Sequence, residues 1–495
     1  MARVAQRAAR RAVLAVITGV AGACGSSGGP SGDVPTTPPP VTPTGAPVQV
    51  WLTTGDRVKL LSHESDTHLG ADSATSNPVI SVDTATTYQR MVGFGAAFTD
   101  ASVYLIQEKM SAAQRDGLLQ DLFGRSNGPA GIGLSFARVT MGASDFSLRQ
   151  YSYDDVQPGQ SDSALTLFSI APDRADKIPV IKAALAVNPQ LTLVASPWSP
   201  PAWMKTSGSL MTGTLKTTAY ASFADYFVKF IQAYSAEGIS FQAVTIQNEP
   251  AYEPPNYPGM RLDPPVRAAV IGGYVGPAFA KANITTQIWD WDHNWDVPQS
   301  PTIVLNDATA RPYIQGIAWH CYGGDVSAQS TVHDAFPDKD VYSTECSGGD
   351  WSPDFATNLK YFVGTLVIGA TRNWARGVAL WNLALDEADG PHTGGCGNCR
   401  GVVTVTSSSG VVTRNVEYYA LAHASKFVRP GAVRIASTSD LVGLQSVAFR
   451  NSDDASKVLV VLNNAVLPRT FVVRAGGKAF TYLLPAGSVA TFVWA

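Results

Sequence analysis

The chain has 495 residues, 45% apolar and 15% charged, with 44 glycines and 32 prolines. That composition excludes a disordered polyelectrolyte, a collagen-type fibre and a coiled coil, and the length points to a large α/β barrel, alone or with a smaller companion. Formal net charge is −3 with no basic stripe to attract a phosphate backbone, so nucleic acid is excluded as a partner.

Residues 1–23 hold Arg3, Arg7, Arg10 and Arg11, no acid, a short apolar run and Ala21-Gly22-Ala23 just before Cys24. This is the layout of a secretory signal peptide, and the run is too short to span a bilayer as a helix. Without its four arginines the chain keeps 32 basic residues against 39 acidic, a net of −7. Cys24, followed by Gly and Ser, resembles a bacterial lipoprotein acceptor, although Ala21 stands where such boxes usually carry Leu. The expected location is therefore secreted, or lipid-anchored at the outer face of a bacterial cell membrane. The Gly/Ser/Thr/Pro segment 24–47 is expected to be a solvated tether.

Residues 48–85 read as extended strands that pair with a β domain at the far end of the chain. From residue 86 to 430 short apolar runs alternate with helical stretches. The runs are 92–98, 134–141, 191–196, 243–247, 287–291, 317–322, 341–345 and 377–383, with helices expected at 220–236, 266–282, 353–369 and 416–427. Eight strands each followed by room for a helix predict a (β/α)8 TIM barrel. No phosphate-cradling glycine motif follows any strand, so no nucleotide or other cofactor is expected. From 431 to 495 period-two runs broken by turn residues predict an antiparallel β-sandwich domain.

In such a barrel the reacting groups project from the C-terminal strand ends. The fourth run closes on Gln247-Asn248-Glu249-Pro250 and the seventh on Ser343-Thr344-Glu345-Cys346. Carboxylates at the mouths of strands four and seven face one pocket from opposite sides. That arrangement breaks a glycosidic bond with retention when the carboxyls lie about 5–5.5 Å apart, and with inversion when a wider gap admits a water. Asn248 is placed to hold the sugar hydroxyl beside the reacting carbon.

Several further blocks extend this pattern: Gly93-Phe94-Gly95-Ala96-Ala97-Phe98-Thr99-Asp100, Arg138 through Ser144-Asp145-Phe146-Ser147, Ser196-Pro197-Trp198 through Lys205, Trp319-His320-Cys321-Tyr322 and Trp381-Asn382-Leu383. With them, and with the closing Ser488 to Trp494, the chain resembles glycoside hydrolase family 30, the glucosylceramidase and β-1,6-glucanase group, from about residue 48 to the end. The resemblance implies a retaining β-glucosidase with Glu249 as acid/base and Glu345 as nucleophile. Glu249 is then expected to start protonated, with a raised pKa, beside an ionised Glu345. Arg138 would hold the nucleophile, Asp145 and Trp198 would form the glucose subsite, and His320 and Tyr322 would flank the nucleophile. Trp381 would lie under the sugar and Asn398 would add a pocket amide. Substrates implied are a β-glucoside, a β-glucan or a glycolipid. A retaining β-xylosidase or β-fucosidase of the same family, or a surface carbohydrate-binding lipoprotein without turnover, are the alternatives.

An exported chain favours disulfides over thiol ligands, so Cys396 and Cys399 are expected to pair across their short loop rather than to bind zinc. Cys321 and Cys346, on adjacent strands, are either a disulfide or two buried thiols. Asp290, Asp292 and Asp296 lack a calcium-loop spacing and read as solvated loop acids, so no metal is expected.

Overall fold

The computed structural model describes residues 45–495 apart from 127, 129 and 440. The expected signal segment 1–23, Cys24 and the tether up to residue 44 lie outside the described residues. Three strands open the described chain, β1 (Ala46–Thr53), β2 (Ser62–Ala71) and β3 (Val79–Arg90). The barrel strands follow: β4 (Gly93–Ala97), β5 (Phe136–Met141), β6 (Thr192–Pro197), β7 (Ala243–Thr245), β8 (Gln287–Asn294), β9 (Ile314–His320) and β10 (Asp340–Glu345). After the two-residue β11 (Gly348–Gly349) comes the last barrel strand, β12 (Ala375–Asn382). The architecture is a TIM barrel with a C-terminal β-sandwich domain.

The eight strands pair in the order β4-β12-β10-β9-β8-β7-β6-β5, all parallel. The seam between β4 and β5 is closed by the Phe98–Val139 bridge and by the Phe98 amide, which donates to the Arg138 carbonyl at 2.8 Å. Only a glycine fits at position 95 along that seam, because a Cβ there would stand 1.9 Å from the Phe136 carbonyl oxygen. Two expected helices are interrupted by wide turns, Ile271–Val275 and Phe362–Ala370. None of the described helices is long and apolar enough to cross a membrane.

The barrel interior is filled in layers, as closure of eight strands requires. The lower layer is apolar: Phe136, Val194, Ala243, Trp289, Ala318, Tyr342 and Ala379 form one buried cluster, with Trp289 stacked on Tyr342 at 3.6 Å between ring centroids. Side chains two residues further along a strand share its face, which gives Arg138, Ser196, Thr245, His320, Thr344 and Trp381 as the layer above. β8 departs from the rule. Trp291 and Asp292 both have left-handed backbones (φ 75° and 56°), and the register with β9 slips between Trp291 and His293. The slip brings Asp292, three residues past Trp289, into the polar layer.

Downstream, β13 (Ala384–Leu385), β15 (Val403–Val405) and β16 (Val412–Arg414) form a small sheet, while β14 (Cys399–Arg400) pairs with β11. Six strands complete the chain: β17 (Val433–Ser437), β18 (Leu444–Arg450), β19 (Lys457–Asn463), β20 (Arg469–Ala475), β21 (Lys478–Leu484) and β22 (Val489–Trp494). With β1 to β3 they close on themselves in the order β1-β2-β21-β20-β3-β17-β18-β19-β22, antiparallel except where β3 runs parallel to β20. Their alternating faces enclose a core that includes Val50, Ile80, Leu459, Phe471 and Phe492. The outer face is apolar as well: Trp51, Phe449, Val458, Val460 and Leu462 belong to the same buried cluster as the barrel helices. Between the two, buried His423 contacts the hydroxyls of Thr53 and Thr491, each at 2.8 Å.

Candidate active site

Arg138, fully buried on β5, is the hub of the polar layer. Burying a guanidinium requires partners for its charge and its donors. It donates to Glu345 at 2.5 Å, Asp292 at 2.6 Å, the Asn248 side-chain oxygen at 2.7 Å and the Ser196 hydroxyl at 3.1 Å. Its guanidinium also lies over the Trp198 ring, 4.6 Å from the centroid. Asp292 has no solvent access and receives the Ser196, Thr245 and Thr344 hydroxyls at 2.6, 2.7 and 2.6 Å. Burial pushes its pKa up, but Arg138 and His320 outweigh that and hold the carboxyl well below the ordinary range.

His320 bridges the two halves of the site. Its Nε2 lies 3.0 Å from Asp292 and its Nδ1 3.2 Å from Glu249. Burial lowers its pKa, yet the charge of Glu345 and the bonds to Asp292 and Glu249 raise it to about 9, so the ring is an imidazolium at neutral pH. Glu249 sits in a left-handed turn (φ 47°) just past β7, and Glu345 ends β10, where its second oxygen accepts the Tyr322 hydroxyl at 2.9 Å. One side-chain donor or acceptor atom from each of Glu249, His320 and Glu345 lies within 4.8 Å of the other two. Two carboxylates this close leave no room for the intervening water of an inverting site and match the spacing of a retaining one. Among the described residues this trio is the one group of His, Cys, Asp or Glu crowded enough to suggest a cation, and Arg138 with His320 already supplies positive charge there.

The proton distribution differs from the sequence expectation. Burial raises both carboxyls, but the His320 hydrogen bond and charge take Glu249 below its ordinary pKa, whereas Glu345 stays raised, with the charge of Glu249 adding to burial. The acidic proton therefore rests on His320, one hydrogen bond from Glu249.

Most of the residues expected from the sequence converge here. Asp145, Glu249, Tyr322, Glu345 and Trp381 line one cavity of about 730 Å³. Asp145 is 8% exposed, with one carboxyl oxygen buried and unpartnered, and burial beside Glu345 and Glu249 raises its pKa well above the ordinary value. Arg138, Asn248 and His320 form the wall behind. Trp198 and Trp381 are both buried and stack at 4.9 Å; Trp381 lines the cavity and Trp198 backs it. Asn398 does not line the cavity. It is exposed, and its carbonyl accepts the Asp350 amide in the β11–β14 pairing. The loop reaches the site instead through Gly395, Cys396 and Cys399.

Both disulfides form, Cys321–Cys346 and Cys396–Cys399. The first ties the residue after His320 to the residue after Glu345. The reading of Asp290, Asp292 and Asp296 as solvated acids holds only for Asp296. Asp290 is buried against Arg267 at 2.8 Å, and Asp292 is the anchor described above. Alternation along β8 would align Asp290 with Asp292, and the slip that separates them has no signature in the sequence. His293 was missed for the same reason; it lies 3.9 Å from Glu249.

Comparison with known proteins supplies a family context. A model of the glycosyl hydrolase family 30 TIM-barrel domain matches residues 91–428, and one of the family's beta sandwich domain matches residues 431–492. An endo-1,6-beta-D-glucanase of Aspergillus fumigatus is 38% identical over 433 residues, covering 82% of this chain and 85% of the relative. The lysosomal acid glucosylceramidase of Mus musculus is 31% identical, over 82% of this chain and 81% of the relative. The solved structure of the endo-beta1,6-glucanase BT3312 superposes with a TM-score of 0.81 at 32% identity, covering 91% of this chain and 99% of that one.

Proposed function

Because the chain belongs to glycosyl hydrolase family 30 and is a retaining hydrolase of β-glucosidic bonds, we propose that its substrate is a β-1,6-linked glucan, with Glu345 as nucleophile and Glu249 as acid/base. The observation that carries the assignment of roles is the convergence of both carboxylates and His320 within 4.8 Å at the barrel mouth. The choice of β-1,6-glucan over a glycolipid rests on the greater identity to the glucanases among the relatives.

Arg138 and the Tyr322 hydroxyl each hold one oxygen of Glu345, which orients the carboxylate for attack at the anomeric carbon and favours its ionised form. Substrate entering the cavity strips water from Glu249, which favours a neutral carboxylic acid and imidazole over the ion pair. The proton crosses the 3.2 Å from His320 to Glu249 and then passes to the leaving oxygen, while Asp292 keeps the ring oriented. The glycosyl–Glu345 ester forms as the glycosidic bond breaks. Glu249, now anionic, takes a proton from water, and the hydroxide so formed releases the sugar with its β configuration retained.

Product analysis on β-1,6-glucan, glucosylceramide and aryl β-glucosides, β-xylosides and β-fucosides tests this reading. Cleavage of β-1,6-glucan with the β anomer appearing first is the expected result. Exclusive action on the lipid, on a xyloside or on a fucoside would overturn the substrate, and an initial α anomer would overturn the mechanism. The lone basic, apolar start of the sequence and the two disulfides support export and attachment through Cys24; in that case Cys24→Ser moves the protein from the membrane fraction to the medium, and an unchanged distribution removes the lipid anchor.

A further inference from the structure

The cavity is larger than one hexose ring requires, and the acid/base lies between two differently built halves. On one side stand Asp145 and Trp381, the buried floor that accepts the sugar to be transferred. The other side has no assigned role. It is formed by Tyr252, His293, Asn294 and Asp296, all facing the same cavity. A leaving group is expelled on the side where the acid stands, so what surrounds Glu249 holds the leaving group.

Tyr252 and His293 stand beside Glu249, and Asn294 is tied to the nucleophile wall. The Tyr252 amide donates to the Glu249 carbonyl at 2.9 Å, while its ring remains 46% exposed. His293 has Nε2 3.9 Å from the Glu249 carboxylate, and its Nδ1 is buried with no protein partner. Burial, with the nearby imidazolium of His320, lowers the His293 pKa, so the ring is neutral and offers one donor and one acceptor. Asn294 accepts the Tyr322 amide at 3.2 Å, which joins this side to the nucleophile's hydroxyl partner. Gly323 and Gly324 let the chain after β9 pack closely on Asp296: a Cβ on Gly323 would stand 2.8 Å from the Asp296 carboxylate, and one on Gly324 2.3 Å from the Asp296 backbone nitrogen. An exposed aromatic ring and polar side chains lining the same cavity match the apolar face and equatorial hydroxyls of a pyranose.

We infer that Tyr252, His293, Asn294 and Asp296 form the leaving-group subsite and that its occupant is a second pyranose. This rests on the proposed function and names the half of the substrate that function leaves open. Tyr252 is the platform, and His293, Asn294 and Asp296 supply the polar groups that take hydroxyls of the leaving sugar. The same subsite receives an incoming sugar when the glycosyl–Glu345 ester is transferred rather than hydrolysed.

The test compares kcat/KM on a β-1,6-linked gluco-oligosaccharide with kcat/KM on 4-nitrophenyl β-glucoside, for the wild type, Tyr252→Ala, His293→Ala and His293→Gln. A second readout is the ratio of transfer to hydrolysis when a β-1,6-linked glucose disaccharide is added as acceptor. Tyr252→Ala and His293→Ala are each expected to lower the oligosaccharide-to-aryl ratio and the transfer ratio fivefold or more, with His293→Gln regaining part of both. Smaller changes in both ratios overturn the subsite, as does a Tyr252→Ala enzyme that loses both substrates equally. A wild type inactive on both glucosides defeats the proposed function itself, a result distinct from active enzyme with unmoved ratios.

Discussion

His320 is the residue on which the proton economy of the site turns. Folding raises its pKa from an ordinary 6.5 to about 9. The stability gained from its contacts is therefore complete below pH 6.5 and is lost as the pH climbs through about 9. Activity follows the same limb, because deprotonated His320 has nothing to hand to Glu249. A profile of kcat/KM against pH is expected to fall above about pH 9, and His320→Gln, which keeps a hydrogen bond but holds no proton, is expected to lose at least about tenfold in rate and to lack that limb. A variant with an unchanged alkaline limb would assign the proton elsewhere. At this scale the sequence was readable where chemistry and strand ends coincide: Glu249, Glu345, His320 and Tyr322 all sit where a barrel strand meets its loop, and Arg138 lies within β5 on the face that the strand's alternation assigns to the interior. Asp292 and His293 were not, because their placement depends on two left-handed residues in the middle of β8 that ordinary side chains adopt only under tertiary constraint.

The elements that carry the site are β9 and β10, adjacent and parallel, and the Cys321–Cys346 bridge fastens their ends. The bridge closes a loop of 25 residues, worth about 3.5 kcal/mol in the chain-entropy account. Replacing both cysteines by serine is expected to lower the urea midpoint by a corresponding amount and to reduce kcat more than KM, since His320 and Glu345 lose their shared tether. Equal stability with and without the bridge would show that strand pairing alone holds the two ends. The eight strands were legible because each is a short apolar run with turn residues at its end. The pairing of the two cysteines was not, since adjacency of strands does not fix whether two side chains face one another. The Asn398 assignment failed for a related reason: spacing within a loop constrains nothing until the chain partners with β11, and that pairing uses the Asn398 backbone and leaves its side chain outside.

Across the whole molecule the barrel and the β domain are joined by one continuous apolar core. Trp51 meets Phe427 at 5.4 Å between ring centroids, Phe94 meets Phe449 at 6.5 Å, and His423 is buried neutral between β1 and β22, its pKa lowered by burial to about 3. A junction of this kind resembles a domain interior more than a surface contact. Calorimetry is expected to show one unfolding transition with equal van't Hoff and calorimetric enthalpies, and two resolved transitions would contradict the shared core. The strands at both ends of the described residues and their return onto each other were legible from their extended patterning, whereas the parallel β3–β20 pairing was not, because patterning gives faces and leaves strand direction open.

The central claim is that Glu345 attacks the anomeric carbon while Glu249 delivers a proton from the same cavity. Incubation with a 2-deoxy-2-fluoro-β-glucoside bearing a good leaving group, followed by peptide mapping of the intact and proteolysed enzyme, examines it at the level of one bond. The account predicts a single fluoroglucosyl adduct on Glu345, stable until an acceptor releases it. An adduct on Glu249 or any other residue would contradict it.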